Sequence, residues 1–117
     1  MSEAQPAARG DARDLTAFQK NILVVLAEEP RYGLAIKREL EDYYGEEVNH
    51  GRLYPNLDDL VTEGLVEKSE LDKRTNQYAL TDAGLDAVLD DLTWTLERFL
   101  VDDERAETIR DIVAANE

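Results

Sequence analysis

The stretch VNHGRLYPNLDDLVTEGLVEK, residues 48–68, changes its period in the middle. Up to Gly64 the apolar residues Leu53, Leu57, Leu60 and Val61 recur on one face of a helix. Beyond it Leu65-Val66-Glu67-Lys68-Ser69 reads as a short strand. Asn49 supplies a side-chain oxygen for the helix start, and Gly64 suits its end. Pro55 falls inside the helix, where it removes a hydrogen bond and crowds the preceding turn, so a kink or an irregular first turn is expected.

The flanking segments fit the same scheme. Leu15, Phe18, Ile22, Val25 and Leu26 have helical spacing, and Pro30 stops that helix. Tyr32-Gly33 makes a turn into a second helix, about 33–44, with Leu34, Ile36, Leu40 and Tyr43-Tyr44 as apolar positions and Gly45 at its end. After the strand at 65–69 comes a polar tip, Asp72-Lys73-Arg74-Thr75-Asn76, then Gln77-Tyr78-Ala79-Leu80, which together predict a hairpin. Thr81 caps a long fourth helix whose stripe is Leu85, Val88, Leu89, Leu92, Leu96, Phe99 and Leu100. A last amphipathic piece carries Ile109, Ile112 and Val113, with Asp102-Asp103 marking a break. The expected fold is mostly α with a small β-hairpin: a winged helix-turn-helix domain over 15–81, a C-terminal helical region for dimerisation over 82–117, and a flexible arm over 1–14.

Composition removes several function classes. The chain has no cysteine, one histidine (His50) and one methionine (Met1), which excludes disulfides, thiolate zinc sites, thiol switches and multi-histidine metal sites. No nucleophile elbow, glycine-rich phosphate loop or metal cluster is present, so no enzyme, no metal and no cofactor is expected. The longest aliphatic run, ILVVLA, is far too short to span a bilayer, and residues 1–14 lack the apolar stretch of a signal peptide; a cytoplasmic protein with no membrane partner is expected. The charge is extreme: 27 Asp+Glu against 13 Lys+Arg, formally −14. Residues 1–81 hold 16 acids and 10 bases, net −6, and residues 82–117 hold 11 acids and 3 bases, net −8. Acids scattered along the whole chain, with only four lysines, fit a surface solvated in concentrated salt better than a docking tail.

Three segments, ILVVLAEEPRYGLAIKREL, GRLYPNLDDLVTEGLVEK and NQYALTDAG, resemble the PadR family of transcriptional regulators over roughly residues 20–90. The landmarks are Tyr32-Gly33, Leu53-Tyr54-Pro55 with Leu57 and Leu60, Glu63-Gly64-Leu65, and Tyr78 with Leu80-Thr81 and Ala83-Gly84. The resemblance implies a homodimeric winged-helix repressor or activator. It implies a third helix in the major groove, a wing on the backbone or minor groove, and a C-terminal helix that makes the dimer. Some members respond to phenolic acids or drugs. Composition points to a haloarchaeal member. One departure stands out: family members usually carry bases between the two leucines after Tyr54-Pro55, and this chain has Asp58-Asp59.

At about 100° per residue, Arg52, Asn56, Asp59 and Glu63 share the flank of the third helix opposite its leucines. Arg and Asn form bidentate bonds to guanine and adenine edges, and recognition helices read with their N-terminal residues. Asn49, His50, Gly51, Arg52 and Asn56 are therefore the expected contacts to double-stranded DNA, His50 being either a phosphate contact or a neighbour of the cap. Lys73, Arg74, Thr75 and Asn76 at the wing tip, and Lys37 and Arg38 on the second helix, are expected on phosphates. Tyr54 is either core or a phosphate donor. Leu85, Leu89, Leu92, Leu96, Phe99 and Leu100 form a stripe too long for a three-helix core to cover, which predicts a homodimer reading two half-sites of a pseudo-palindrome. Tyr43, Tyr44, Trp94 and Phe99 are candidates for an aromatic ligand pocket, although such residues are more often core. Carboxylates beside phosphates would trap K+ or Na+ at the DNA interface. The competing reading is a winged-helix adaptor that binds a basic protein and no DNA.

Overall fold

The computed structural model describes residues 14–72 and 75–117. The expected arm, up to residue 13, and the wing-tip residues Lys73 and Arg74 lie outside the described residues. Among these are five helices and one small sheet: α1 (Ala17–Glu28), β1 (Arg31–Tyr32), α2 (Gly33–Tyr44), α3 (His50–Thr62), β2 (Val66–Asp72), β3 (Thr75–Leu80), α4 (Asp82–Phe99) and α5 (Asp103–Ala115).

Side-chain caps set four of the five helix starts among the described residues, α2 being the exception. Thr16 and Gln19 close a reciprocal capping box on α1. Asn49 Oδ1 accepts from the Arg52 amide at 2.8 Å on α3, and Asp102 Oδ1 accepts from the Arg105 amide at 2.9 Å on α5. The Asp102-Asp103 break is thus a helix start. Two glycines end helices in the left-handed region, Gly45 at φ 71° after α2 and Gly64 at φ 81° after α3. α3 continues through Pro55, and the carbonyl that loses its partner belongs to exposed Gly51, which water can serve.

The hairpin extends to a third strand that the sequence reading placed in a turn. Tyr32 belongs to β1, which pairs antiparallel with β3 (Arg31 with Tyr78, Tyr32 with Gln77), giving the order β1-β3-β2. A two-residue strand has no period to detect; only its long-range register reveals it. The β2–β3 ladder runs from Val66–Leu80 to Glu70–Asn76 and shifts register before Asp72–Thr75.

One core holds these elements together. Phe18, Ile22, Leu23 and Leu26 of α1 pack with Ile36 and Leu40 of α2, Leu53, Leu57 and Leu60 of α3, and Val48, Leu65, Val66, Tyr78 and Ala87. Each fully buried leucine contributes about 1.5–3 kcal/mol in transfer free energy. No charged side chain is buried among the described residues, so the acids lie at the surface.

Thr81 welds α4 to the wing. Its hydroxyl donates to the Gly64 carbonyl at 2.7 Å and accepts from the Gly84 amide at 3.0 Å, while its own amide donates to the Leu65 carbonyl at 3.1 Å. Gly84 is buried against that same carbonyl, and no side chain fits there.

A second staple closes the turn from α2 to α3. Glu41 accepts from Lys37 Nζ at 2.7 Å and from the Val48 amide at 3.0 Å. The Lys37 hydrogen bond, then the Val48 amide, hold its carboxyl below the ordinary 4.5. A depressed carboxylate contributes stability that is present above its unfolded pKa and is lost as pH falls through the folded value. The melting-temperature advantage of wild type over Glu41→Gln should therefore be constant near neutrality and shrink below about pH 4.5. Taking the difference between the two proteins cancels the titration of the other carboxylates.

Candidate nucleic-acid interface

α3 shows solvent its N-terminal end and one acidic face. His50, Gly51, Arg52, Pro55, Asp58, Asp59 and Thr62 are exposed. His50 stacks on Tyr54 with ring centroids 5.5 Å apart. The two residues best suited to base edges turn toward their own domain. The Arg52 guanidinium lies 4.0 Å over the Phe18 ring and 6.0 Å from that of Tyr44. Half-buried Asn56 accepts from Gln19 Nε2 at 3.0 Å and donates to the Arg52 carbonyl at 2.7 Å. The flank that the helical wheel leaves open is therefore partly covered by α1. The outermost side chains between Arg52 and the helix end are Pro55, Asp58, Asp59 and Thr62.

The cations of the domain are mostly engaged. Lys37 is tied to Glu41, with its side chain 15% exposed, so the phosphate role expected of it competes with an existing ion pair. Arg31 meets Glu28, Glu29 and Glu39, and Lys20 meets Asp91 of α4 at 3.1 Å. Arg38 is exposed and makes no ion pair among the described residues.

Arg38 borders a groove of about 530 Å³ between the start of α2, Tyr54 of α3, and Thr75, Asn76 and Tyr78 of β3. Gly33 explains how Tyr54 enters it: a Cβ at this first residue of α2 would sit 2.5 Å from the Tyr54 hydroxyl. Tyr54 thus both packs against the core and brings its hydroxyl to a helix N-terminus. Tyr78 is 1% exposed; burial, then the fields of Asp58 and Tyr54, push its phenol above the ordinary 10.0, so it stays a donor. Sequence reading gave Tyr78 only as a landmark of the resemblance and did not single out Gln19, because the groove and the Gln19–Asn56 bond arise from long-range packing.

On α4 the expected stripe remains uncovered. Leu85, Leu89, Leu92, Phe99 and Leu100 are between 36% and 50% exposed, while Leu96 is half-buried. α5 buries no residue, and its Ile112 and Val113 are exposed. The four aromatics proposed for a pocket do not converge. Tyr44 stacks with Phe18 and meets Tyr43 edge to face, whereas Trp94 lies under Arg98 and Phe99 under Arg105. An apolar cleft of about 270 Å³ lies instead between α1 and α4, lined by Leu23, Val24, Val88 and Leu92, with Lys20 and Asp91 at its edge.

A helix-turn-helix with a wing, a recognition helix presenting its N-terminus and an appended apolar helix together define a winged-helix DNA-binding regulator. The profile of the PadR-like family of transcriptional regulators matches residues 22–89, and the chain belongs to that family. Among solved structures, the complex hsRosR-S4 is 76% identical, with 93% of this chain and 95% of that chain covered at a TM-score of 0.92. RosR of H. salinarum grown from NaBr is also 76% identical, covering 91% and 96%, at a TM-score of 0.89. A PadR-like transcription factor from Bacteroides fragilis shares the fold at 24% identity, covering 81% and 88%, with a TM-score of 0.61. No curated protein matches the sequence. No helix among the described residues is long and apolar enough to cross a membrane.

Proposed function

We propose that this regulator acts in the cytoplasm as a homodimer on a pseudo-palindromic site, in concentrated salt, and that carboxylates at its DNA-facing surface hold K+ or Na+ against the phosphates. The observation that carries the dimer is the stripe of α4, whose leucines, set among acids, stay about half exposed. A two-fold pair would cover them and aim two α3 helices at successive half-sites. The wing tip, with Lys73 and Arg74, adds phosphate contacts in this reading.

Salt adaptation rests on the net charge of −14 and on the surface placement of the acids. At ordinary salt this charge opposes approach to a polyanion. At about 1 M the Debye length is about 3 Å, and long-range repulsion is gone. The favourable release of counterions is largely gone too. Direct contacts and trapped cations then decide affinity. Asp58 and Asp59 stand on the outward face of α3, where cations would bridge them to phosphate. The cleft between α1 and α4 supports response to a small apolar ligand, and the absence of cysteine rules out a thiol signal.

Fluorescence anisotropy of random-sequence and upstream genomic duplexes, from dilute to multimolar KCl, tests this. Binding should persist or tighten with salt, and Asp58→Ala with Asp59→Ala should flatten that response. A steep loss of affinity with salt would discard the cation bridges. No binding at any salt would favour the adaptor.

A further inference from the structure

We propose that the groove between the start of α2, Tyr54 and β3 seats one phosphate of the DNA backbone, held by the hydroxyls of Tyr54 and Tyr78, the Asn76 amide, the Arg38 guanidinium and the first-turn amides of α2. The inference deepens the DNA-binding reading and rests on it.

Two independent observations meet at this place. The first is an open helix end. α2 is 12 residues long, Tyr32 gives it no side-chain cap, and its first turn contains no acid. The amides of that turn lack intrahelical partners, and Gly33, Leu34 and Ala35 all border the groove. Such an end attracts anions through both its N–H groups and its dipole. The second is a buried donor without an acceptor among the described residues. Tyr78 borders the same groove, is 1% exposed, and its hydroxyl has no hydrogen-bond partner among the described residues. A buried polar group left unpaired is costly, so such groups are normally satisfied.

The chemistry of the remaining lining agrees. Tyr54 is held with its hydroxyl over Gly33, and that position is glycine in this chain where any Cβ would displace it. Arg38 borders the groove while its neighbour Lys37 is consumed by Glu41. Every polar group that meets the groove this way can donate, which suits a ligand with several acceptor oxygens. Asp58 is the acid whose field reaches Tyr78, and it favours the protonated, donating phenol. The groove lies between the recognition helix and the wing, so the oxygens that reach it on docking belong to the duplex backbone.

The test uses the full chain and a random-sequence duplex, with Tyr54→Phe, Tyr78→Phe, both together, and Arg38→Gln. Each phenylalanine should weaken binding about three- to tenfold, equally on random and genomic duplexes, with the DNA-free melting temperature not lowered, since Tyr78→Phe removes a buried unpaired hydroxyl. Arg38→Gln should also change the slope of log K against log salt by about one. A double phenylalanine variant that binds duplex as wild type does would overturn the proposal. So would a loss confined to one sequence, which indicates base reading, or a loss that tracks a lower melting temperature. If the double variant keeps its DNA affinity but no longer broadens the 31P signal of inorganic phosphate, the groove takes a free anion and the backbone assignment falls. Wild type failing on every duplex would bring down the DNA reading itself, a result separable from wild type binding and the variants matching it.

Discussion

Gly84→Ala is expected to destabilise the protein by about 1–3 kcal/mol, far more than a helix-favouring change normally does. An added Cβ would lie 2.1 Å from the Leu65 carbonyl oxygen and 2.8 Å from Leu80 Cδ2. The oxygen is backbone, and it already accepts from the Thr81 amide, so it cannot step aside without opening the joint. At an exposed helical position the same substitution would stabilise by about 0.5–1 kcal/mol. Thermal unfolding of the variant beside wild type decides between them: a raised melting temperature would mean that α4 is not seated on the wing as described.

Leu89→Glu combined with Leu92→Glu should produce the largest functional loss. Both side chains are about half exposed within one chain, so two carboxylates there leave the monomer fold intact by circular dichroism. Across a two-fold interface the same carboxylates would be buried and unpaired. Sedimentation should then report a monomer. Duplex affinity should fall by about 10²-fold or more, because each half-site loses the effective concentration supplied by its partner. A variant that stays dimeric would move the interface elsewhere, α5 with exposed Ile112 and Val113 being the next candidate.

The parts of the fold that were legible in the sequence are those written in local chemistry. Asn49, Thr81, Gly45 and Gly64 mark element ends through short hydrogen bonds or a left-handed backbone, and each does so in the structure. What escaped depends on distant partners. β1 exists only because Arg31 and Tyr32 meet Tyr78 and Gln77. The helical wheel placed Arg52 and Asn56 away from the leucines, but a wheel cannot show that Phe18 and Gln19 of α1 come to meet them. One signal was available and unused. Lys37 and Glu41 are four residues apart on a helix, the spacing of an ion pair, which argues against a free cation at Lys37. Tyr54 was left between core and phosphate donor; the structure packs it against the core and sets its hydroxyl over Gly33.

The Thr81 joint has a consequence for the operator. α4 is an 18-residue rod, about 27 Å long, joined at its start to Gly64 and Leu65 by two hydrogen bonds of Thr81 and tied along its first half to α1 through buried Ala87 and the Lys20–Asp91 pair. If it pivots as one body, it would act as a lever arm with the Gly64–Leu65 carbonyl pair at its fulcrum. A tilt of about 10° at that fulcrum would carry its far end by about 5 Å, comparable to the rise of one or two base pairs. In a symmetric pair the spacing of half-sites would then be set less by the reading helices than by the stiffness of this hinge.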